Sequence, residues 1–328
     1  MTTDQKVWVL LLNWKNAKDT IECMQSILSA EDLSIKGVVV CDNGSNDGSL
    51  EKIKAWMETS AEDFWDIQYR DQKFSAVEGE KNATPPFFVL IDNGFNGGFA
   101  AGNNIGLDFI KKNLTYDYVF VLNNDTIIEP TTVSSCIEHF DSADNMGLCG
   151  CKVVYEHSRH LVQAYGGASF NPWLGRAVNL GSMNDSSIVP DSQEVEAKLD
   201  YIMGAAMMIS KPCLESIGNM EEKYFLYYEE ADWATRAKKA GFGLGFAKDS
   251  VVYHKEGASI GSSFDKAKRS FLADYYLVSS RVKFTAKFYP FYLPSVYAFC
   301  FFQALRNLIK LDFGRFKIII QAMLQKPL

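Results

Sequence analysis

The sequence predicts an α/β protein in which a mostly parallel sheet is flanked by helices and followed by a helical C-terminal appendage. Three observations carry this expectation. Through residues 7–140, apolar runs of strand length alternate with stretches of helix length, the rhythm of strands joined by right-handed crossovers. Within that region Tyr118–Leu122 is apolar, β-branched and aromatic without a break, as a strand buried on both faces is. From Arg281 onward eight Lys or Arg stand against a single acid, Asp312, which sets the end of the chain apart from the rest.

Val7–Leu12 reads as the first strand, and Ala17–Leu28 as a helix with Ile21, Met24, Ile27 and Leu28 on one face. Lys36–Cys41 is the second strand, and Ser49, placed to cap, starts a helix that reaches Met57. Phe87–Ile91 and Ala100–Lys111 form a third strand–helix pair, Tyr118–Leu122 is the fourth strand, and a helix started by Pro130 runs to about Phe140. Trp65–Pro86 is polar and without clear pattern, so it is expected to be a surface insertion. After about Met146 the rhythm changes to short strands with turns at Gly166-Gly167 and Gly175. A helix from Glu229 to Ala240 is stopped by Gly241, and Ser250–Tyr253 is a short strand. Nothing repeats internally. The expected division is a main unit over residues 1–260, with halves 1–126 and 127–260, and an appendage over 261–328.

Hydrophobic residues make up 47% of the 328 and charged residues 22%, enough to bury a core. The net charge of −7 argues against nucleic acid as a partner. That average hides an asymmetry, about +7 from Arg281 onward and −14 before it. The N-terminal residues enter a strand with no basic region and no small-residue cleavage site, so no signal peptide is expected. Seven cysteines without C-x-x-C spacing fit buried thiols in a reducing cytosol better than a zinc or disulfide site.

Asn123-Asn124-Asp125-Thr126 follows the fourth strand. Ligands of open α/β sheets gather beyond the carboxyl ends of the strands. Carboxamides and a carboxylate there offer oxygen to a hard divalent cation that also holds phosphates. Asp42-Asn43-Gly44-Ser45 after the second strand is a tight turn in its plain reading. In its functional reading Asp42 hydrogen-bonds a nucleobase or ribose, and Asn13-Trp14 forms the neighbouring wall with Trp14 stacked on the base. Asn96-Gly97-Gly98-Phe99 through Asn103-Asn104 opens the third helix. Glycines let backbone approach a ligand, and helix N-terminal amides attract phosphate, although neither dinucleotide nor P-loop spacing is present. The plain alternative is a flexible loop.

Glu229-Glu230-Ala231-Asp232 begins a helix directly behind the aromatic run Tyr224–Tyr228. A solvated acidic first turn with an Asp232–Arg236 pair is the ordinary explanation; acids lining a cleft and supplying a base is the functional one. His254 follows a strand and precedes the polar loop Lys255–Ser259, where a metal or diphosphate ligand would sit. His139, His157 and His160 read as surface residues. Trp173, Trp233 and Tyr165 are either platforms for acceptor sugar rings or core.

These segments, in this order from Val7 to Ser259, resemble family 2 of the inverting nucleotide-diphosphosugar glycosyltransferases, on the bacterial rhamnosyltransferase-like branch. The resemblance implies a GT-A type fold with a Rossmann-like sheet, in which residues 1–126 bind the nucleotide sugar and 127–260 the acceptor. The family's base-binding acid falls on Asp42 and its donor loop on Asn96–Asn104. Its metal-binding D-x-D ends at Asp125, with Asn123 in the first position. Asn13, Trp14, Asn43 and Asn124 complete the implied donor site. His254 occupies the place of a metal-shell histidine for Mg2+ or Mn2+. The family's Glu-Asp catalytic pair reads Glu229-Glu230 here, which makes Glu230 the implied base, with Glu229 and Asp232 as the other acids; Trp173 and Trp233 are the acceptor-side candidates.

The implied reaction is a single displacement. A carboxylate deprotonates the acceptor hydroxyl while the metal offsets charge on the departing nucleoside diphosphate, and no Ser-His or Cys-His nucleophile is needed. The expected donor is dTDP- or UDP-linked, and the acceptor a cell-surface glycan or lipid-linked glycan. The rival readings are a sugar-phosphate nucleotidyltransferase and a non-catalytic, membrane-attached sugar-nucleotide-binding subunit. The first would want a Gly-rich basic loop where Asn13-Trp14-Lys15-Asn16 stands. Pro290 and Pro294 break the uncharged stretch Phe288–Leu305, which is then too short to span a membrane. The basic, aromatic tail is expected to lie on an anionic membrane, to meet a second copy of the chain, or both. The implied location is the cytoplasm, at the inner face of the cell membrane.

Overall fold

The computed structural model describes residues 5–61, 63–78, 87–256 and 270–327. The end of the expected insertion (79–86), the loop residues 257–259 and the expected boundary at 260 lie outside them.

The chain runs β1 (Val7–Asn13), α1 (Ala17–Ser29), β2 (Ile35–Asp42), α2 (Ser49–Ser60), β3 (Phe64–Arg70), β4 (Lys73–Glu78), β5 (Phe88–Asp92) and α3 (Gly98–Asn113). It continues through β6 (Tyr118–Asn123), β7 (Thr126–Ile128), α4 (Thr132–Asp141), β8 (Met146–Tyr155), β9 (Val162–Tyr165), β10 (Gly167–Asn171) and β11 (Arg176–Asn179). Then come α5 (Ser192–Glu196), β12 (Tyr201–Ile202), β13 (Ala206–Ser210), α6 (Lys211–Ile217), α7 (Glu229–Lys239) and β14 (Gly243–His254). Three helices close the chain: α8 (Phe271–Phe288), α9 (Leu293–Ile309) and α10 (Phe313–Met323).

The main sheet has the order β4-β3-β5-β2-β1-β6-β13-β8-β14-β7, with β9 paired to β8. β3, β5, β2, β1 and β6 are mutually parallel. β13 runs antiparallel to both β6 and β8, and thereby joins the two halves of the sheet. β10, β11 and β12 form a separate small sheet. Successive side chains of β1 serve opposite faces. Trp8 and Leu10 enter one apolar cluster; Val7, Val9 and Leu11 enter the other. A strand covered on both sides has no polar face to show, which is why these runs are continuous. Helix α3 lies very close to β1: a Cβ on Gly102 would meet Leu12 Cδ1 at 2.5 Å, and one on Gly106 would meet Cys41 Sγ at 2.9 Å.

Four sequence expectations are corrected. Phe64–Arg70 is not insertion but a strand parallel to β5, with Trp65 and Ile67 buried; Gln68 and Arg70 are exposed near the sheet edge, and buried Asp66 pairs with Lys54. β8 and β14 are ten and twelve residues long rather than short. An irregularity between Ala247 and Val251, with exposed Lys248 and Asp249, hides the continuity of β14. Gly48, not Ser49, caps α2, and the Asp47 carboxylate accepts from Ser49 N–H. His139 is half-buried, 2.5 Å from the Glu196 carboxylate through Nε2. All seven cysteines are buried, free thiols.

The appendage is packed, not loose. α8 buries Phe284 against Tyr224 and Tyr228. The largely buried Arg281 reaches Tyr228 Oη and Gln303 Oε1, and Ser280 Oγ donates to Leu226 O. α9 and α10 close a small core over α8. Among the described residues no helix is long and apolar enough to cross a membrane.

Candidate active site

The carboxyl ends of β1, β2 and β6 converge on one cleft of about 460 Å3. Its floor is a closed polar network. Asn13 Nδ2 donates to Asp42 Oδ2 at 2.6 Å, and Asn13 Oδ1 accepts from Thr20 Oγ1 at 2.7 Å. Ser45 gives both N–H and Oγ–H to the Asp42 carboxylate. Asn124 Nδ2 donates to Thr20 Oγ1 at 2.9 Å. Asn13 and Asp42 are thus buried beneath the cleft, with the carboxylate already occupied. Trp14, Asn43, Asn96, Gly98 and Phe99 line the cleft above them. Asn43 Nδ2 donates to Asn96 Oδ1 and Gly98 O, which ties the β2 turn to the start of α3.

The end of the expected donor loop has another task. Asn104 clamps the Met220 main chain through its O and N–H, and Asn103 donates to Phe99 O inside α3; both side chains are buried. Gly98, at φ +87, presses on the Phe225 carbonyl, and Phe99 N–H donates to that oxygen. These residues hold the wall; Asn103 and Asn104 are not among the cleft lining.

Asp125 and His254 face each other in the cleft, Oδ1 to Nε2 at 3.2 Å, because β7 pairs with β14 and brings Thr126 opposite His254. Gln163 Oε1 engages His254 Nδ1 at 2.8 Å, which orients the ring with Nε2 toward Asp125. Burial opposes charge on both groups. Their mutual attraction outweighs it, lowering the Asp125 pKa and raising that of His254.

The pair offers a divalent cation two ligands, one carboxylate and one imidazole nitrogen oriented by a hydrogen bond on its other side, and among the described residues no third His, Cys, Asp or Glu joins them. The charge of the cleft also favours a cation. Asp125, Glu229, Glu230 and Glu256 line it, and among the described residues no Lys or Arg does.

The opposite wall is the start of α7. Tyr227 and Tyr228 both adopt left-handed backbone, at φ 67° and 74°, a costly conformation for bulky residues. Tyr228 is held there by donating to Gly175 O at 2.5 Å. The turn aims the three acids differently. Glu230 is half-buried and lines the cleft; burial pushes its pKa up to about 7. Glu229 also borders the cleft but is nearly enclosed. Its Oε2 has no hydrogen-bond partner among the described residues, and burial, then the Glu230 charge, raises its pKa well above the carboxylate range.

Asp232 is fully buried. Arg236 at 2.7 Å, Lys287 at 2.6 Å and Tyr224 Oη at 3.2 Å surround it, so it is an internal tie and not a base open to substrate. Trp233 is corrected as well. Its indole is 0% exposed and donates to Gly218 O, so it is core and no sugar platform. Tyr165 is buried too. Trp173 is exposed but lies outside the cleft lining, edge-on to Tyr292.

Two cleft residues escaped sequence reasoning. Tyr201 lines the cleft; its phenol pKa is raised first by burial, then by the Glu230 charge, which keeps it a hydrogen-bond donor. Gly204 faces Glu230, where an added Cβ would stand 3.8 Å from Glu230 Cβ. A two-residue strand and a lone glycine leave no sequence signal. Leu272 and Leu277 of α8 also line the cleft, so the appendage contributes to the site.

The model of "Glycosyl transferase family 2" matches residues 9–177, and that of "Glycosyl transferase family group 2" matches 118–320, each more than half of the chain. The chain belongs to glycosyltransferase family 2. This family 2 chain is 26% identical over 166 residues to a low-salt glycan biosynthesis hexosyltransferase of Haloferax volcanii, covering 51% of each protein. It is 22% identical over 174 residues to the N-acetylglucosaminyl-diphospho-decaprenol L-rhamnosyltransferase of Mycobacterium tuberculosis, covering 48% of this chain and 55% of that one. The matches therefore span about half the length of those relatives. Among solved structures, the mannosyltransferase of Pyrobaculum calidifontis in complex with GDP-Man and Mn2+ superposes with a TM-score of 0.56. That likeness has 13% identity and covers 98% of this chain and 88% of the other. The fold is GT-A type.

Proposed function

We propose that this glycosyltransferase family 2 chain moves a sugar, a hexose or a deoxyhexose such as rhamnose, from a nucleotide-diphosphate sugar to a hydroxyl of a glycan or lipid-linked glycan, with inversion. One observation carries the reading. A cation-suited Asp125–His254 pair and a carboxyl with pKa near 7, Glu230, open on the same cleft, which has no described Lys or Arg of its own.

Asp125 and His254 would hold Mg2+ or Mn2+, which when bound would offset charge developing on the leaving diphosphate. Trp14 and Asn43 bound the nucleoside, positioned by the buried Asn13–Asp42 network. Glu230 takes the proton of the acceptor hydroxyl as that oxygen bonds the anomeric carbon. The bond from that carbon to the diphosphate oxygen breaks on the opposite side, and the nucleoside diphosphate leaves with the electron pair. Tyr201 donates a hydrogen bond beside Glu230, and Gly204 leaves the space in which the acceptor hydroxyl sits. The names of the two relatives, one a hexosyltransferase and one a rhamnosyltransferase acting on a diphospho-decaprenol-linked sugar, support this substrate class. A dTDP- or UDP-linked donor is proposed.

The test is a panel of nucleotide sugars with Mn2+ and glycan or lipid-linked acceptors, followed by NMR of the product. Release of nucleoside diphosphate with an anomeric configuration opposite to the donor's is expected. Retention would point instead to another transfer, and pyrophosphate released from a nucleoside triphosphate plus sugar 1-phosphate, with no sugar moved to an acceptor, would point to a nucleotidyltransferase.

A further inference from the structure

We propose that the outer face of α9, together with the α9–α10 turn, is a docking surface for an anionic lipid bilayer. The starting point is a helix that is apolar on two sides. The inner side of α9 puts Val296, Cys300 and Ala304 into the appendage core, all fully buried. Its outer side repeats Phe301, Phe302, Leu305 and Ile309 at helical spacing, and Phe302 and Ile309 are 66% and 82% exposed. A helix that is apolar all round needs cover on both sides.

The turn extends this face. Leu311 and Phe313 are 74% and 62% exposed, so three large apolar side chains, counting Ile309, project within five residues. Among the described residues only Phe301, Phe302 and Leu305, on the same helix, stand as close together.

Charge decides the occupant. Arg306 and Lys310 follow Phe302 at steps of four along the helix, and Lys317 is exposed on α10. Past residue 287 the only acid is Asp312, already engaged by the Arg315 guanidinium at 3.5 Å and capping α10. A large apolar surface threaded with cations that have no acidic partner among the described residues suits acyl chains beneath anionic headgroups. A second copy suits it poorly. About a two-fold axis the same patch meets itself, and its Lys and Arg would find across the interface no acid but Asp312, which Arg315 engages. The α8 segment that packs below this face also lends Leu272 and Leu277 to the cleft, so docking here would hold the cleft close to the lipid surface.

The experiment is density-gradient flotation of the full chain with vesicles of phosphatidylglycerol and phosphatidylcholine, against vesicles of phosphatidylcholine alone. Binding to the anionic vesicles, weakened by salt, is expected. The combined variant Ile309→Ser/Leu311→Ser/Phe313→Ser should bind at least about tenfold more weakly, because each apolar side chain adds to membrane affinity. These side chains are mostly solvent-exposed, so its melting temperature should hold. If it does not, Arg306→Glu/Lys310→Glu gives the same reading by charge. Failure of the wild type to float with anionic vesicles, equal flotation with neutral ones, or undiminished binding by both variants would overturn the proposal. So would a solution dimer that the variants split without any vesicle binding, which would assign the face to a second copy. The proposal is independent of the reaction: nucleotide-sugar hydrolysis without vesicles should be unchanged in both variants.

Discussion

Glu230 and Asp232 lie two residues apart on α7 yet face opposite demands. Glu230 looks into the cleft with its pKa lifted to about 7, whereas Asp232 is walled in by Arg236, Lys287 and Tyr224. Glu230→Gln keeps the shape and removes the base, so transfer should fall by roughly 10²–10⁴-fold while nucleotide affinity holds. The base works deprotonated, so wild-type kcat/KM should rise with pH up to about 7 and then level, and the Gln variant should lose that limb.

Asp232→Ala strands two partly solvated cations against a buried gap and should cost about 2–4 kcal/mol of stability, read by chemical denaturation. Glu229 gives a stability effect of its own. Its folded pKa is raised, so the unfolded chain gives up that proton first and this residue's contribution to stability falls as pH rises past about 4.5. Glu229→Gln should therefore narrow the loss of melting temperature between pH 5 and pH 8. An unchanged difference between variant and wild type across that range would mean Glu229 is ionised at no cost.

Among the elements, α3 is held against β1 and β2 by the absence of two side chains. Gly106→Ala should push a methyl into Leu10 and Cys41 and cost about 1–3 kcal/mol by overpacking, measurable as a lower denaturation midpoint. At Gly204 the same reasoning gives a kinetic result. An alanine fits, since its Cβ would find only ordinary contacts, but Gly204→Leu should raise the acceptor KM and leave nucleotide-sugar hydrolysis intact.

These elements also show what the sequence made legible. The parallel strands could be read because burial on both faces leaves an unbroken apolar run. β3 was missed although Trp65, Ile67 and Tyr69 alternate, because Gln68 and Arg70 are exposed near the edge and Asp66, buried beside Lys54, breaks the apolar run. Asp125, Glu230 and His254 stood out as polar residues at strand and helix ends. Trp233 could not be sorted from a cleft aromatic, because only the packing of α7 against the core fixes which way it points. Asp42 was correctly placed at a strand end, but its carboxylate is occupied by Ser45 of its own turn and by Asn13 from β1, a pairing that only the fold brings together.

At the scale of the whole molecule, β13 joins the parallel half of the sheet to a second half, and the cleft has one wall from each. In the proposed function donor anchoring would fall to Asp125 and His254 at the junction of β6, β7 and β14, and proton transfer to Glu230 on α7, braced from behind by α8. Division of labour between the two walls is the central claim. Calorimetric titration of UDP and dTDP, with Mn2+ and with chelator, into wild type, Asp125→Ala and Glu230→Gln tests it most directly. Wild type and Glu230→Gln should bind one of these nucleotides alike and only with Mn2+, while Asp125→Ala should not bind it. Metal-independent binding that survives Asp125→Ala, or loss of nucleotide binding in a folded Glu230→Gln, would contradict the assignment.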